Sequence, residues 1–227
     1  MFLLRDFEKN FNMEQTENDI VYSKWISILA KIVSYVFHPL FVGVMMAGYL
    51  IFIHPYFFVG FSPQQKMLKL LAVINNNVFF PLIVVVLLRA LGFNKSLLLQ
   101  TQKERIVPYL ASITFFFWSY YIFKNQPEVP RVLVNMCRGM FFSAAVALVL
   151  NNNYKISMHA IGVGGLMGLM MVILINGNLD SGLPMLLSVL VTGAVMTARK
   201  IVSDHHWFDI ITGFLLGFLT QLIALWV

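Results

Sequence analysis

The sequence predicts an all-α polytopic membrane bundle of six to seven spans, preceded by an amphipathic helix lying in the interface. Three observations carry that prediction. Of 227 residues, 59% are hydrophobic and only 11% are charged, whereas soluble domains carry about 25% charged residues. The apolar residues fall into seven runs parted by short polar stretches, each run near the ~20 residues that cross a bilayer. The net charge of +6 reads as loops facing anionic headgroups and the cytosol, and makes nucleic acid a poor partner. The single Cys137 lies in an apolar run and excludes a disulfide framework or a Cys-rich metal site within the chain.

The chain divides into a polar tail, 1–24, and one membrane-embedded domain, 25–227. The tail mixes Arg5, Asp6, Glu8, Lys9, Glu14, Glu17 and Asp19. It lacks the basic start and early apolar core of a cleavable signal peptide, so it reads as cytosolic or interfacial. From Trp25 to Phe37, Trp25, Ile28, Leu29, Ile32, Val33 and Val36 recur at i, i+3, i+4, i+7 spacing, with Ser27, Lys31 and Ser34 on the other face. That pattern makes the interfacial helix, before Pro39 turns the chain inward. The first span follows at about 36–53, flanked by His38 and His54, which read as interfacial polar groups. The second, about 69–91, is interrupted by Asn75, Asn76, Asn77 and Pro81. Asn inside a span is costly unless it bonds a neighbouring helix, and that bond is the expectation.

A loop at 92–107 leads to a third span, about 106–123, whose aromatic residues suit an interfacial belt. The fourth, about 132–150, contains Arg138, which is expected to snorkel or to pair with an acid. The fifth, about 156–175, carries Gly162, Gly164, Gly165 and Gly168, a small-residue face for close helix packing. The sixth covers about 183–198 and the last about 207–227.

Outside the tail, polarity concentrates between the last two spans, at Thr197–Ile210, reading TARKIVSDHHWFDI. Arg, His and Asp gathered at a helix boundary of a membrane protein point to chemistry or ion binding. If the last helix starts near Ser203 or Asp204, His205 lies in its first turn and Asp209 one turn on, on the same face. Asp209 then accepts a hydrogen bond from one ring nitrogen of His205 and leaves the other free as nucleophile or base. The helix N-terminus favours an anion, and Arg199 is placed to grip a phosphate. A metal site built from Asp204, His205, His206 and Asp209 is disfavoured, because adjacent helical His residues point about 100° apart.

Arg199-x5-His205-x3-Asp209 resembles the third signature motif of the type 2 phosphatidic acid phosphatase (PAP2) superfamily, whose full form begins Ser-Arg; Ala198 stands in place of that Ser. Ser157-Met158-His159 resembles the second motif, Pro-Ser-Gly-His, with Ile156 and Met158 replacing the Pro and Gly. Lys103-x-Arg105-x-x-Pro108 resembles the first, Lys-x6-Arg-Pro, with Arg105 the better match. The resemblance covers the C-terminal half to two thirds of the chain, and the motifs occur in the family order. Two spans part Arg105 from Ser157 and two more part His159 from Arg199, so all three patches face one side of the membrane.

The resemblance implies an integral-membrane lipid phosphatase acting without metal or other cofactor. Its substrate is a lipid phosphate or diphosphate monoester, of polyprenyl diphosphate, phosphatidic acid or phosphatidylglycerol phosphate type. In the family's terms His205 is the nucleophile that becomes phosphohistidine, and Asp209 orients it. His159 is the general acid and base. Arg199, Arg105, Ser157 and Lys103 bind phosphate. The implied partners are the phosphorylated lipid and the bilayer, and the implied location is a bacterial inner membrane. With seven spans, the balance of Lys and Arg puts the site loops in the cytosol, whereas the family works on the outer face. Three other readings compete. A silent or transport member of the same fold is favoured by the replacements at Ile156, Met158 and Ala198. A transporter using Arg138 and Arg199 calls for inverted repeats, and none is visible. A Ser–His hydrolase built on Ser157 lacks a nucleophile-turn context.

Overall fold

The computed structural model describes residues 22–92, 101–176, 182–203 and 205–226, and every regular element among them is helical. The helices are α1 (Lys24–Val36), α2 (Pro39–Gly48), α3 (Pro63–Ile74), α4 (Phe80–Ala90), α5 (Gln102–Lys124), α6 (Arg131–Asn151), α7 (Met158–Ile175), α8 (Gly182–Val202) and α9 (Trp207–Ile223). One-turn π segments, Tyr49–Ile53 and Asn75–Phe79, extend α2 and join α3 to α4. Most of the polar tail, with Lys95 and Asp204, lies outside the described residues.

Five helical stretches are long and apolar enough to span a membrane: Pro63–Ala90, α5, α6, α7 and α8. A sixth arises if α1 and the α2 stretch, bent by 57° at their junction, form one broken span. α9 is apolar but has only 17 residues. The bend has a local cause. Ser23 caps α1, and His38 starts a new helix by accepting the Leu40 N–H on Nδ1, with Pro39 at the first helical position.

Lipid is as apolar as Leu, so it gives large side chains no reason to turn inward, and helices in it pack through small residues. α8 follows that rule. It buries Ser188, Thr192, Val195 and Ala198 and leaves Leu183, Leu186, Leu187 and Leu190 outside. α7 and α9 follow it most closely. Both carry Gly-x3-Gly, Gly164 with Gly168 and Gly213 with Gly217. A Cβ added at Gly164 would stand 2.2 Å from the Phe214 carbonyl oxygen, and one at Gly217 would stand 2.0 Å from that of Ile161. Here the expected small-residue face exists and is backbone against backbone.

Polar side chains close the remaining gaps. Ser119 donates to Asn77 across the α5 interface at 2.9 Å, as the Asn run anticipated. Ser143 and Thr220 meet at 2.5 Å between α6 and α9. Arg138 pairs with no acid in the described residues. It donates to Asn135 and to the Ala224 carbonyl at the end of α9, a cation on a helix C-terminus. The third span begins earlier than its hydropathy indicates, because Thr101 and Glu104 form a capping box that starts α5 at Gln102. Lys103, Glu104 and Arg105 are therefore helical, not loop.

Candidate functional site

The starts of α5, α7 and α9 and the end of α8 converge at one end of the bundle. Four hydrogen bonds hold the starts of α5, α7 and α9 and the end of α6 together there. Gln102 and Asn151 exchange side chain-to-backbone hydrogen bonds at 2.9 Å each, tying the start of α5 to the end of α6. The buried Arg105 guanidinium donates to the Ile156 carbonyl at 3.0 Å. The Ser157 N–H donates to the Asp209 carbonyl at 3.2 Å. Arg105, Ser157 and Asp209 thus share one end, as the even number of spans between the three patches requires.

His205 stands just before α9, not within it. The helix starts at Trp207 behind His206 in extended conformation, so the expected start near Ser203 is corrected. The cause is Asp209. As the third helical residue its Oδ2 accepts the His206 N–H at 3.1 Å and closes the first turn there. The same oxygen lies 3.5 Å from Nδ1 of His205, longer than a well-formed hydrogen bond. His205 and Asp209 are therefore neighbours, but the expected hydrogen bond between them is not formed: the carboxylate oxygen is engaged by the His206 N–H and the buried Nδ1 of His205 makes no hydrogen bond among the described residues.

His205 is buried. Burial, reinforced by the positive charges of Arg105, Arg199 and Lys155, pushes its ring from the usual 6.5 down to about 3, against a hydrogen bond to the Lys155 backbone that favours the charged form. The ring is therefore neutral at pH 7, as a nucleophile must be. Asp209 in turn lies within electrostatic reach of Arg105.

Ser157 is fully buried and caps α7 by accepting the Ala160 N–H at 3.4 Å. His159, in the first turn of α7, meets the Ser34 carbonyl through Nε2 at 3.1 Å, and Arg199 and His205 act on its charge. Ala198 is buried beside Arg199, where a hydroxyl would sit in the resembled motif. Lys103 does not join this group. It is exposed, and lying two residues from the buried Arg105 it projects from the other side of α5.

Two neighbours escaped the sequence reading. Lys155 belongs to none of the motif patterns, yet its charge acts on the His205 ring. His38, read as an interfacial group, packs edge to face on His159 with ring centroids 5.3 Å apart. The signal for Lys155 was its place two residues before Ser157. Nothing local marked His38, which sits 121 positions from its partner. His54 is buried and stacked on Phe57. Among the described residues no three His, Cys, Asp or Glu side chains are grouped to hold a metal.

The arrangement places one neutral imidazole against a carboxylate, a second imidazole near it, and three cations around the pair. That set can attack an electrophilic centre, hold anionic oxygens and pass a proton. Comparison with known proteins finds no matching family model, no matching curated protein and no matching solved structure.

Proposed function

We propose that this chain is an integral-membrane lipid phosphatase of PAP2-like type, cleaving a phosphate or diphosphate monoester of a lipid through a phosphohistidine. The observation that carries the reading is the buried His205, with an Asp209 carboxylate oxygen 3.5 Å from Nδ1 and the charges of Arg105, Arg199 and Lys155 acting on the ring. A His–carboxylate pair alone serves many structural ends. Three cations around it suit an anionic substrate and a charge that grows during reaction.

In the proposed reaction Nε2 of His205 attacks phosphorus. The P–N bond forms as the bond to the lipid oxygen breaks, and that oxygen leaves with the bonding pair and the Nδ1 proton of His159, which is an imidazolium when the anionic phosphate is bound and keeps its Nε2–H on the Ser34 carbonyl. Asp209 draws in to accept a hydrogen bond from Nδ1–H of His205 and stabilises the imidazolium. Water then gives its proton to His159 and attacks phosphorus, the P–N bond breaks, and phosphate leaves. Arg105, Arg199 and Lys155 hold the phosphoryl oxygens, and the N-termini of α7 and α9 add to the field. The lipid reaches the site from the bilayer, with α1 lying at the interface of a bacterial inner membrane.

A second reading, a lipid-phosphate binding or transport protein, draws on Ala198 and on the capping duty of Ser157, which leave the site short of hydroxyl donors. One experiment separates them. The purified chain in detergent with EDTA is expected to release phosphate from polyprenyl diphosphate, phosphatidic acid or phosphatidylglycerol phosphate, and His205→Ala to abolish that release. Phosphate binding without turnover on any of these lipids sinks the phosphatase reading.

A further inference from the structure

The junction of α1 and α2 reaches into the site from the far end of the sequence. In the last turn of α1, the Ser34 carbonyl lies 3.1 Å from Nε2 of His159, 125 positions away. A carbonyl only accepts, so this bond puts the proton of a neutral His159 on Nε2 and leaves Nδ1 bare. One turn on, His38 sets its ring at 81° to the His159 ring, centroids 5.3 Å apart. The tautomer of His38 is itself fixed. Its Nδ1 accepts the Leu40 N–H, so a neutral ring carries its proton on Nε2. Pro39 locks the backbone at that point. α1 also packs along α8, the helix that supplies Arg199, and the Arg199 charge acts on both rings.

We propose that His38 is a positioning residue for His159: with the Ser34 carbonyl it holds that ring in one tautomer and one orientation, which makes the bent pair α1–α2 part of the site. The proposal rests on the proposed function, in which His159, neutral at rest and an imidazolium once the anionic phosphate is bound, protonates the leaving oxygen from Nδ1 while Nε2–H stays on the Ser34 carbonyl. An imidazole held on one side only can flip and exchange tautomers, and an error of about 1 Å in such a group costs about 10²-fold in rate. Asp209 gives the nucleophile its orientation, and the hinge gives it to the acid.

His38 also caps α2, so the test has to separate cap from ring. Asn caps a helix well but has no ring. The full chain in nanodiscs, as His38→Asn, is expected to melt near the wild type. Its kcat on the lipid phosphates above is expected to fall about 10- to 100-fold, with KM changed less than about twofold, a part of the ~10²–10⁴ that general acid catalysis supplies. In parallel, nitrogen-15 spectra of ring-labelled histidines at pH 7, with His159 assigned through His159→Gln, should show a single Nε2–H tautomer for His159 in the wild type and a mixture in His38→Asn. An unchanged His159 tautomer overturns the proposal whatever the kcat. A changed tautomer with wild-type kcat overturns it too. If the wild type hydrolyses none of the lipids, the phosphatase reading fails on its own, and the spectra still decide whether His38 holds the ring.

Discussion

Gly217→Ala is the most direct perturbation of the contact that aligns the site. The new Cβ would lie 2.0 Å from the Ile161 carbonyl oxygen and 2.7 Å from the Gly165 nitrogen. Both are backbone atoms, so no rotamer change relieves the clash. The helices must part by about 1 Å or more, and overpacking of this kind costs about 1–3 kcal/mol. For a chain of this size each kcal/mol moves Tm by about 2–4 °C, so the variant is expected to melt roughly 2–12 °C below the wild type. The displacement also reaches the chemistry. Gly213, one turn earlier, has the Ser157 carbonyl 2.8 Å from where its Cβ would be, beside the Ser157–Asp209 bond. On the proposed phosphatase reading, phosphate release should fall about 10²-fold, the cost of roughly 1 Å of misplacement. Gly193→Ala is the internal control. Nothing lies within 4 Å of its Cβ, in the middle of α8, and Ala there should gain about 0.5–1 kcal/mol from lower unfolded-state entropy. Thermal unfolding in detergent, followed by intrinsic fluorescence, reads both. Gly217→Ala melting at or above the wild type would refute the backbone-contact argument, as would an equal loss in Gly193→Ala.

Two further outcomes follow from described contacts. His205 has a folded-state value of about 3 against the usual 6.5. Between those values the unfolded chain binds a proton there that the folded chain does not, so this residue's contribution to stability is complete above about pH 6.5 and is lost as pH falls towards 3. The Tm of the wild type should fall more from pH 8 to pH 5 than that of His205→Gln, and a His205 ring that titrates near 6.5 by NMR would contradict the burial argument. For the Asn77–Ser119 bond, a double-mutant cycle with alanine should give a coupling of about 0.6 kcal/mol, at most ~1.7; zero coupling means that the bond contributes nothing across the α5 interface.

What the sequence made legible was what repeats or counts. The apolar runs, the glycine spacing of α7 and the even number of spans between Arg105, Ser157 and Arg199 all follow from local pattern and parity, and the observed contacts match them. Helix starts were less legible. Thr101-x-x-Glu104 is a capping box written in the sequence, yet the apolar run masked it, and Lys103 was grouped with Arg105 as if both were loop. His206 is not a favoured N-cap residue, so the start of α9 at Trp207 depends on a side chain three residues later. His38 could not be read at all, because its meaning lies in a ring contributed by α7, and a single sequence carries no trace of such pairings.

The glycine seam also bears on how the protein is made. α7 emerges from the ribosome with its notches at Gly164 and Gly168 open, and their occupants, Phe214 and Phe218, are synthesised some fifty residues later. Until α9 arrives, α7 presents bare backbone to lipid or to whatever insertion factor holds it, and His159 has no histidine–carboxylate pair opposite. A nascent chain halted after α8 thus lacks both the glycine seam and the His205–Asp209 neighbours, so the seam and the candidate site are completed by the same docking event.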